Sequence, residues 1–262
     1  MGIPNAPSIT YSVCAVDAVS TARHRSTGVA VNTIHPTAVI SDSVSLGEGN
    51  TIGPFVVIDG PVTIGSGNWI GAGAIIGAPP EVRSFRHPRI PGDSVGGGVI
   101  IGNDNVIREH AQIHQGWKST TRVGDRAFLM NQVYVAHDCH IGDDVTLASS
   151  VLLAGHVHLG DRVNLGLGTS VHQFRYVGTG SMVGMGSVVT RSIPPYAKAY
   201  GNPARLRGVN TVGMERSGIP ADAVAAVVER YGDGGAELRV DGLQYFESLA
   251  DAFSEWHSQT AS

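Results

Sequence analysis

The sequence predicts a mainly β fold, a parallel β-helix of hexapeptide repeats with a small C-terminal α-helical region. Twelve aliphatic residues recur at every sixth position from Val123 to Val189, a period too regular to come from chance β-propensity. The chain contains 35 glycines, and only 15% of its residues are charged and 6% aromatic. Many short strands, joined by tight turns around a narrow interior, account for both observations.

The repeat pattern divides the chain into three parts. Residues 1–33 have no clear period and are expected to form an N-terminal extension that is partly ordered at best. Residues 34–195 form the predicted β-helix, interrupted at 78–98 by a proline- and glycine-rich excursion of the kind that often forms a functional loop. Residues 196–262 form the predicted helical region.

Local signals refine these parts. Four extra residues around Trp117 to Thr120 shift the phase of the repeat. A helix is expected at 220–230, where proline lies in the first turn and Gly232 follows the end. A second helical segment is expected at 243–256, with apolar residues at helical spacing.

Composition argues against several functional classes. The formal net charge of −4 and the pI near 6.2 give no whole-chain attraction for nucleic acid or for a membrane surface. No apolar run approaches the length of a membrane span, and the first thirty residues lack a hydrophobic signal core. Cys139 occupies an aliphatic slot and is expected to be a packed thiol. We therefore expect a cytoplasmic protein without an integral membrane segment.

Stacking the repeat by eighteen residues separates its edges. Three hexads make the simplest closed coil with three flat faces, so residues eighteen apart should lie above one another. One edge then carries acidic turn residues, and a second carries Leu167 and Met185. The third edge collects the unusual side chains, namely His114, His137, Asp138, Gly155, His156, His172, Gln173 and Phe174. Because solenoids gain stability by lateral association, this edge predicts a partly buried cleft between subunits.

The third edge offers the minimum apparatus for acyl transfer. His137 can take a proton from a hydroxyl near neutral pH, and Asp138 beside it can orient the ring. One coil above, Gly155 has no side chain to block a reactant from its backbone N–H, which can stabilise a tetrahedral oxyanion. No serine or cysteine nucleophile is obviously placed beside His137, which favours direct transfer over a covalent intermediate.

A metal site is the competing chemistry for the same histidines. His137 and His140 are three residues apart, and with His156 or His114 from another subunit they would give a three-histidine site. The alternative that the histidines are structural corner residues stays open, and it is favoured for His140.

Five segments of the chain resemble the UDP-N-acetylglucosamine acyltransferases of lipid A synthesis. They are Ile107-Arg-Glu-His-Ala-Gln-Ile-His-Gln-Gly116, Val135-Ala-His-Asp-Cys139, Leu153-Ala-Gly-His156, Val171-His-Gln-Phe174 and Gly208-Val-Asn210. The resemblance covers roughly residues 34–230 in the right order. It implies a left-handed β-helix, against the usual right-handed crossover rule, and a homotrimer with active sites between subunits. It also implies transfer of an acyl chain, typically 3-hydroxylated, from acyl carrier protein to the glucosamine 3-hydroxyl.

The resemblance assigns roles residue by residue. His137 is the implied general base, Asp138 its partner and the Gly155 N–H the oxyanion donor. Of the implied substrate-binding residues, Glu81 and Arg83 match a family pair that contacts the sugar, and His114, His156, His172 and Gln173 would line the acceptor and phosphopantetheine region. Asn210 and Arg216 would hold the nucleotide part, with Asn202 as a further candidate. Met185 matches the position that limits acyl length, where some members have Gly, so a shorter acyl chain is expected. No cofactor or metal is implied, because the acyl group arrives on the phosphopantetheine of the carrier protein.

The sequence also departs from the family pattern. Val212 stands where the family has an acidic residue, Tyr134 replaces a common histidine, and the pair Glu81 and Arg83 replaces an Asp-x-Lys. These differences leave open another nucleotide sugar, an acyl-CoA donor as in an amino-sugar N-acetyltransferase, or a non-catalytic scaffold. The γ-class carbonic anhydrases resemble the chain less, because their histidine pair five residues apart is missing around His137.

Overall fold

A computed structural model describes residues 30–87, 96–232 and 242–260. The predicted N-terminal extension at 1–33 lies almost entirely outside the described residues, and so does the 88–95 part of the excursion. The described residues are dominated by strands of two to five residues, with short helices at the C-terminal end.

The strands, numbered in chain order, are short throughout. Those before the excursion are β1 Thr33–Ile34, β2 Val39–Ile40, β3 Val44–Leu46, β4 Thr51–Ile52, β5 Val57–Ile58, β6 Val62–Ile64, β7 Trp69–Ile70 and β8 Ile75–Ala78. The next are β9 Val99–Ile101, β10 Val106–Ile107, β11 Gln112–His114, β12 Thr121–Val123, β13 Phe128–Leu129, β14 Tyr134–Val135, β15 His140–Ile141, β16 Thr146–Leu147 and β17 Leu152–Leu153. The last are β18 His158–Leu159, β19 Asn164–Leu165, β20 Ser170–Val171, β21 Tyr176–Val177, β22 Met182–Val183, β23 Val188–Val189, β24 Ala197–Tyr200 and β25 Arg205–Val209.

These strands form three sheets in which every third strand pairs. The ten-stranded sheet has the order β1-β4-β7-β10-β13-β16-β19-β22-β24-β25, the eight-stranded sheet β2-β5-β8-β11-β14-β17-β20-β23, and the seven-stranded sheet β21-β18-β15-β12-β9-β6-β3. Strands pair in parallel, for example Tyr134 with Leu152 and Leu152 with Ser170. This register of eighteen residues confirms the predicted β-helix with three faces. Its handedness stays a prediction from the resemblance.

The repeated aliphatic residue fills the interior of the solenoid. Leu129, Leu147 and Leu165, stacked on successive coils of one sheet, are completely buried. Each such side chain contributes about 1.5–3 kcal/mol when it is removed from water. The small or β-branched residue two positions earlier is buried as well, as in Val145 and Val163, so the hexapeptide period follows directly from filling a narrow core.

Two-residue turns join the sheets and form three corners. The His137 corner joins the eight-stranded to the seven-stranded sheet and contains 137–138, 155–156 and 173–174. The Asp143 corner contains 125–126, 143–144, 161–162 and 179–180, and the Met185 corner contains 131–132, 149–150, 167–168 and 185–186. The three predicted edges are therefore confirmed. The second residue of these turns adopts a positive φ, as in Asp138 at 59° and His156 at 61°.

The C-terminal part extends the solenoid before it becomes helical. β24 pairs in parallel with β22, and β25 turns back antiparallel to β24, so the strands continue past the predicted division at 195. The helices that follow are α1 Thr211–Arg216, α2 Ala221–Tyr231 and α3 Ala250–Thr260. No helix within the described ranges is long and apolar enough to cross a membrane.

The two helical predictions have different outcomes. Pro220 precedes α2 and Gly232 ends it at a φ of 49°, as predicted. The prediction for 243–256 was wrong in its first half, where 243–245 and 247–249 form separate 3₁₀ turns. Phe246 between them is extended, with φ −79° and ψ 120°, and this interrupts the helical path until α3 begins.

Candidate functional site

The centre of the His137 corner is a histidine–carboxylate pair. The Nδ1 of His137 lies 2.7 Å from Oδ2 of Asp138. The Asp138 side chain has no solvent exposure, whereas that of His137 is 14% exposed. The turn conformation brings the two neighbouring side chains together, because Asp138 occupies the left-handed second position of the turn.

The charge state of Asp138 fixes the tautomer of His137. Burial alone would raise the pKa of the Asp138 carboxyl, but hydrogen bonds from His137 and Ser119 outweigh it and lower this pKa to about 2. An ionised carboxylate only accepts hydrogen bonds, so the Nδ1 of neutral His137 carries the proton and Nε2 keeps its lone pair. The pair thus presents a base at Nε2.

Gly155 lies directly above this base, as the eighteen-residue stacking predicted. A Cβ built on Gly155 would lie 2.5 Å from Cε1 and 2.7 Å from Nε2 of His137. Any side chain at this position would therefore displace the imidazole. Among the described residues, no acceptor takes the Gly155 N–H, so this donor is available beside the base.

A turn that sequence reasoning did not assign to the site surrounds the carboxylate. The backbone N–H groups of Trp117, Lys118 and Ser119 all donate to Asp138, at 3.1 Å from Trp117 and 2.8 Å from Lys118. The Ser119 hydroxyl adds a hydrogen bond of 3.0 Å. The indole of Trp117 meets the His137 ring edge-on, with centroids 6.2 Å apart. The four-residue phase shift was the only sequence signal of this turn.

The next coil places aromatic rings beside the base. His156 lies 5.1 Å from His137 between ring centroids, and it stacks on Phe174 at 4.5 Å with an interplanar angle of 9°. Burial lowers the pKa of His156, an effect that Asp138 opposes and His137 reinforces. His172 and Gln173 lie on the same corner and are exposed. The structure therefore gathers these predicted residues on one surface.

His137 and His140, the pair at the centre of the predicted metal alternative, do not converge within one chain. His140 begins β15, stacks on His158 at 4.3 Å and faces away from the corner, because three residues along the coil carry the chain onto the next face. A different set in the described part of the chain has ligand atoms within 4.8 Å of one another, namely His137, Asp138 and His156. Asp138 already accepts hydrogen bonds on both oxygens.

Comparisons with known proteins show which family the chain resembles. The hexapeptide transferase family matches residues 120–155, and the UDP-N-acetylglucosamine O-acyltransferase domain 2 family matches 193–233. The chain is 39% identical over 135 residues to the acyl-[acyl-carrier-protein]–UDP-N-acetylglucosamine O-acyltransferase of Synechocystis, and 41% identical over 137 residues to that of Syntrophobacter fumaroxidans. Each match covers 51% of this chain and spans about half of the relative, 49% and 53%.

Solved structures extend the similarity along the chain. The UDP-N-acetylglucosamine O-acyltransferase of Moraxella catarrhalis is 32% identical with a TM-score of 0.62, over 87% of this chain and 92% of that one. The UDP-N-acetylglucosamine acyltransferase of Campylobacter jejuni is 31% identical with a TM-score of 0.66, over 85% and 90%. The chain belongs to the UDP-N-acetylglucosamine O-acyltransferase family. The predicted family membership is confirmed.

Glu81, one of the predicted substrate-binding residues, lies beside His114. The Glu81 carboxylate lies 3.7 Å from Nε2 of His114, while Nδ1 of this ring donates to the carbonyl of Pro79 at 2.9 Å. Nε2 itself is buried and has no hydrogen-bond partner in the described structure. Arg83 is exposed. The Tyr134 ring, in place of the family histidine, lies 5.3 Å from His114.

The residues predicted to hold the nucleotide lie away from the His137 corner in this member of the acyltransferase family. Asn210 caps α1 by accepting from Gly213 and donates to the Gly180 carbonyl at 2.9 Å on the Asp143 corner. Arg216 ends α1 and is exposed, as is Asn202 in the turn after β24. Within one chain these residues do not meet His137. Their substrate roles stay predictions.

Met185, the predicted limit on acyl length, occupies a third corner. Its side chain is 73% exposed, one coil above Leu167, which is 50% exposed. Within one chain, His137, the residues predicted to hold the nucleotide and Met185 therefore lie on or beside three different corners. Met185 can therefore limit the acyl chain of the His137 site only in an assembly of several chains, and this role stays a prediction.

Proposed function

We propose that this protein transfers an acyl chain from acyl carrier protein to a hydroxyl of UDP-N-acetylglucosamine. The observation that carries the proposal is the base at Nε2 of His137 beneath the unpartnered N–H of Gly155. Both relatives compared by sequence are named for this donor and this acceptor. A 3-hydroxylated acyl chain is part of the proposal, following the resemblance.

The proposed reaction is a direct transfer. Nε2 of His137 takes the proton of the acceptor hydroxyl as its oxygen attacks the thioester carbonyl carbon. The Gly155 N–H donates to the oxyanion of the tetrahedral intermediate, and the Asp138 carboxylate stabilises the imidazolium. The C–S bond then breaks, the ester remains on the sugar, and the phosphopantetheine thiolate takes the proton back from His137.

We propose that the complete site forms between subunits of a homotrimer. The residues assigned to the nucleotide and to the acyl chain lie beside corners other than the His137 corner, so one chain does not assemble the site. The exposed Phe174 (58%), Leu167 and Met185 are apolar groups that association would cover. Light scattering of the purified protein tests the trimer directly.

The decisive experiment crosses donors with acceptors. Acyl carrier proteins and coenzyme A, each loaded with acyl chains of several lengths, are incubated with UDP-N-acetylglucosamine and other nucleotide sugars. We expect ester formation from acyl carrier protein and UDP-N-acetylglucosamine, abolished in a folded His137→Ala variant. Preference for acyl-CoA with an amino sugar would favour the N-acetyltransferase alternative. Wild-type turnover by His137→Ala would reject the base assignment.

A further inference from the structure

The four-residue insertion between β11 and β12 has a definite structure at the candidate site. It carries the chain from His114 to Thr121 through a turn at 115–120. The pairing of β9 with β12 does not depend on this turn, because Val99 still pairs with Thr121 in regular register although the turn lies between them in the chain. The turn is therefore an addition to the scaffold at the level of the base.

This turn holds one oxygen of Asp138 from several directions. Oδ1 accepts hydrogen bonds from the backbone N–H groups of Trp117, Lys118 and Ser119, and from the Ser119 hydroxyl at 3.0 Å. The backbone N–H of Asp138 is held separately by the hydroxyl of Thr121 at 2.9 Å. The Trp117 N–H is shared with Oδ2 at 3.2 Å. These bonds fix the carboxylate plane, with Oδ2 directed at Nδ1 of His137.

The turn rests on the end of the 78–98 excursion. The Gly97 N–H donates to the Gly116 carbonyl at 2.6 Å, and the Gly116 N–H donates to the Gly98 carbonyl at 3.1 Å. There is no room for side chains between these segments. A Cβ on Gly97 would lie 2.4 Å from the Ser119 carbonyl oxygen, and one on Gly116 would meet the same oxygen at 1.5 Å.

We propose that the 115–120 turn, seated on Gly97, is a positioning device that sets the orientation of His137 through Asp138. Ser119 is its principal positioning side chain, since it donates to Oδ1 from both its backbone and its hydroxyl. The inference rests on the proposed function, in which His137 is the base. It goes beyond that proposal by assigning the orientation of the base to a turn outside the His137–Asp138 pair and Gly155.

Ser119→Ala tests the device, with Ser119→Thr as the conservative rescue. The alanine variant loses the hydroxyl donor, and we expect kcat to fall about tenfold because a hydrogen bond to a buried carboxylate is lost. KM for both substrates should change little. Ser119→Thr should restore kcat. Ser43→Ala, which removes a hydroxyl donating to the Gly60 carbonyl at 2.9 Å in an early coil, is the matched control and should behave like the wild type.

Two further measurements separate positioning from a general structural effect. Nitrogen-15 NMR of the His137 ring should show the Nδ1–H tautomer in the wild type and a loss of that preference in Ser119→Ala. In a folded Asp138→Ala background, Ser119→Ala should have no further effect on kcat, because the residue through which it acts is gone. Gly97→Ala, which pushes on the Ser119 carbonyl, should shift kcat and the NMR signal in the same direction.

The outcomes distinguish this inference from the proposed function. Wild-type kcat and an unchanged His137 signal in Ser119→Ala would overturn the positioning device, as would an equal loss of kcat with and without Asp138. If His137→Ala abolishes transfer in the same assays, the proposed function stands in either case. Full activity of His137→Ala would instead reject the base assignment on which the inference rests.

Discussion

Gly155→Ala is the most direct perturbation of the proposed base. The new Cβ would lie 2.5 Å from Cε1 of His137, whereas carbon atoms in contact are separated by about 3.5–4.0 Å. The imidazole must therefore move by about 1 Å, and a misplacement of that size costs on the order of 100-fold in rate. We expect kcat to fall by about this factor.

The same change should have a small effect on folding. Gly155 does not adopt a positive φ, so alanine introduces no backbone strain there. The cost is the hydrogen bond between His137 and Asp138, about 1–2 kcal/mol of unfolding free energy. A large loss of kcat together with a melting temperature lowered by only a few degrees is the expected combination.

Steady-state kinetics with acyl carrier protein and UDP-N-acetylglucosamine, beside thermal unfolding, measure both effects. Gly124→Ala is the matched control, because its Cβ would meet Oδ1 of Asp143 at 2.4 Å on the Asp143 corner, away from the base. The control should lose comparable stability and keep kcat. A Gly155→Ala enzyme with kcat within threefold of the wild type would refute the stacking of the oxyanion donor on the base.

Three other predictions concern chain length and pH. Met185→Gly should shift the preferred acyl donor to longer chains in a competition between acyl carrier proteins, and an unchanged preference would reject its role. Asp138 has a pKa of about 2, below its ordinary value of 3.8, so its carboxylate stabilises the fold above pH 4 and this contribution disappears as the pH falls through 2. Asp138→Asn should therefore cost on the order of 2 kcal/mol at pH 7 and progressively less towards pH 2, measured by urea unfolding. Burial and the neighbouring His140 lower the pKa of His158 to about 4, so the unfolded chain takes up a proton first as the pH falls from 6.5, and stability declines. His158→Asn should remove about 1–2 kcal/mol of that decline between pH 7 and 4; an equally steep decline in the variant would contradict the assignment.

Most of the β-helix could be predicted from the sequence, because each coil of a solenoid places the same packing requirement on the same positions of the repeat. An aliphatic residue at every sixth position is required by a narrow triangular core, and the eighteen-residue register then places Gly155 on His137 without any knowledge of the family. The same stacking assigned Phe174 and His156 to one corner. Each of these inferences uses only nearest neighbours along the solenoid axis.

The features that sequence reasoning missed lack such periodicity. The 115–120 turn binds Asp138 chiefly through backbone N–H groups, which every residue except proline possesses, so its side-chain sequence gives little sign of the role. The strands β24 and β25 follow the Pro194 and Pro195 pair that marks the end of the repeat, and they re-enter the ten-stranded sheet through a register that no hexad predicts. His140 lies three residues after His137, on the strand β15 that follows the turn, so its side chain lies on a different face of the solenoid from the His137 corner.

The distribution of the predicted residues over three corners leads to a test of the site between subunits. His137 and Arg216 lie on different sides of the solenoid, so in the proposed trimer a site takes its base from one chain and its nucleotide-binding arginine from another. His137→Ala and Arg216→Ala chains, each inactive alone, should then complement when they are co-expressed with two affinity tags. Each mixed trimer, with two chains of one kind and one of the other, then has one of its three sites with both wild-type residues, so purified mixed trimers should recover about a third of wild-type activity. If both residues served the same site from one chain, every site in the mixture would lack one of them, and the mixed trimers would stay as inactive as their parents.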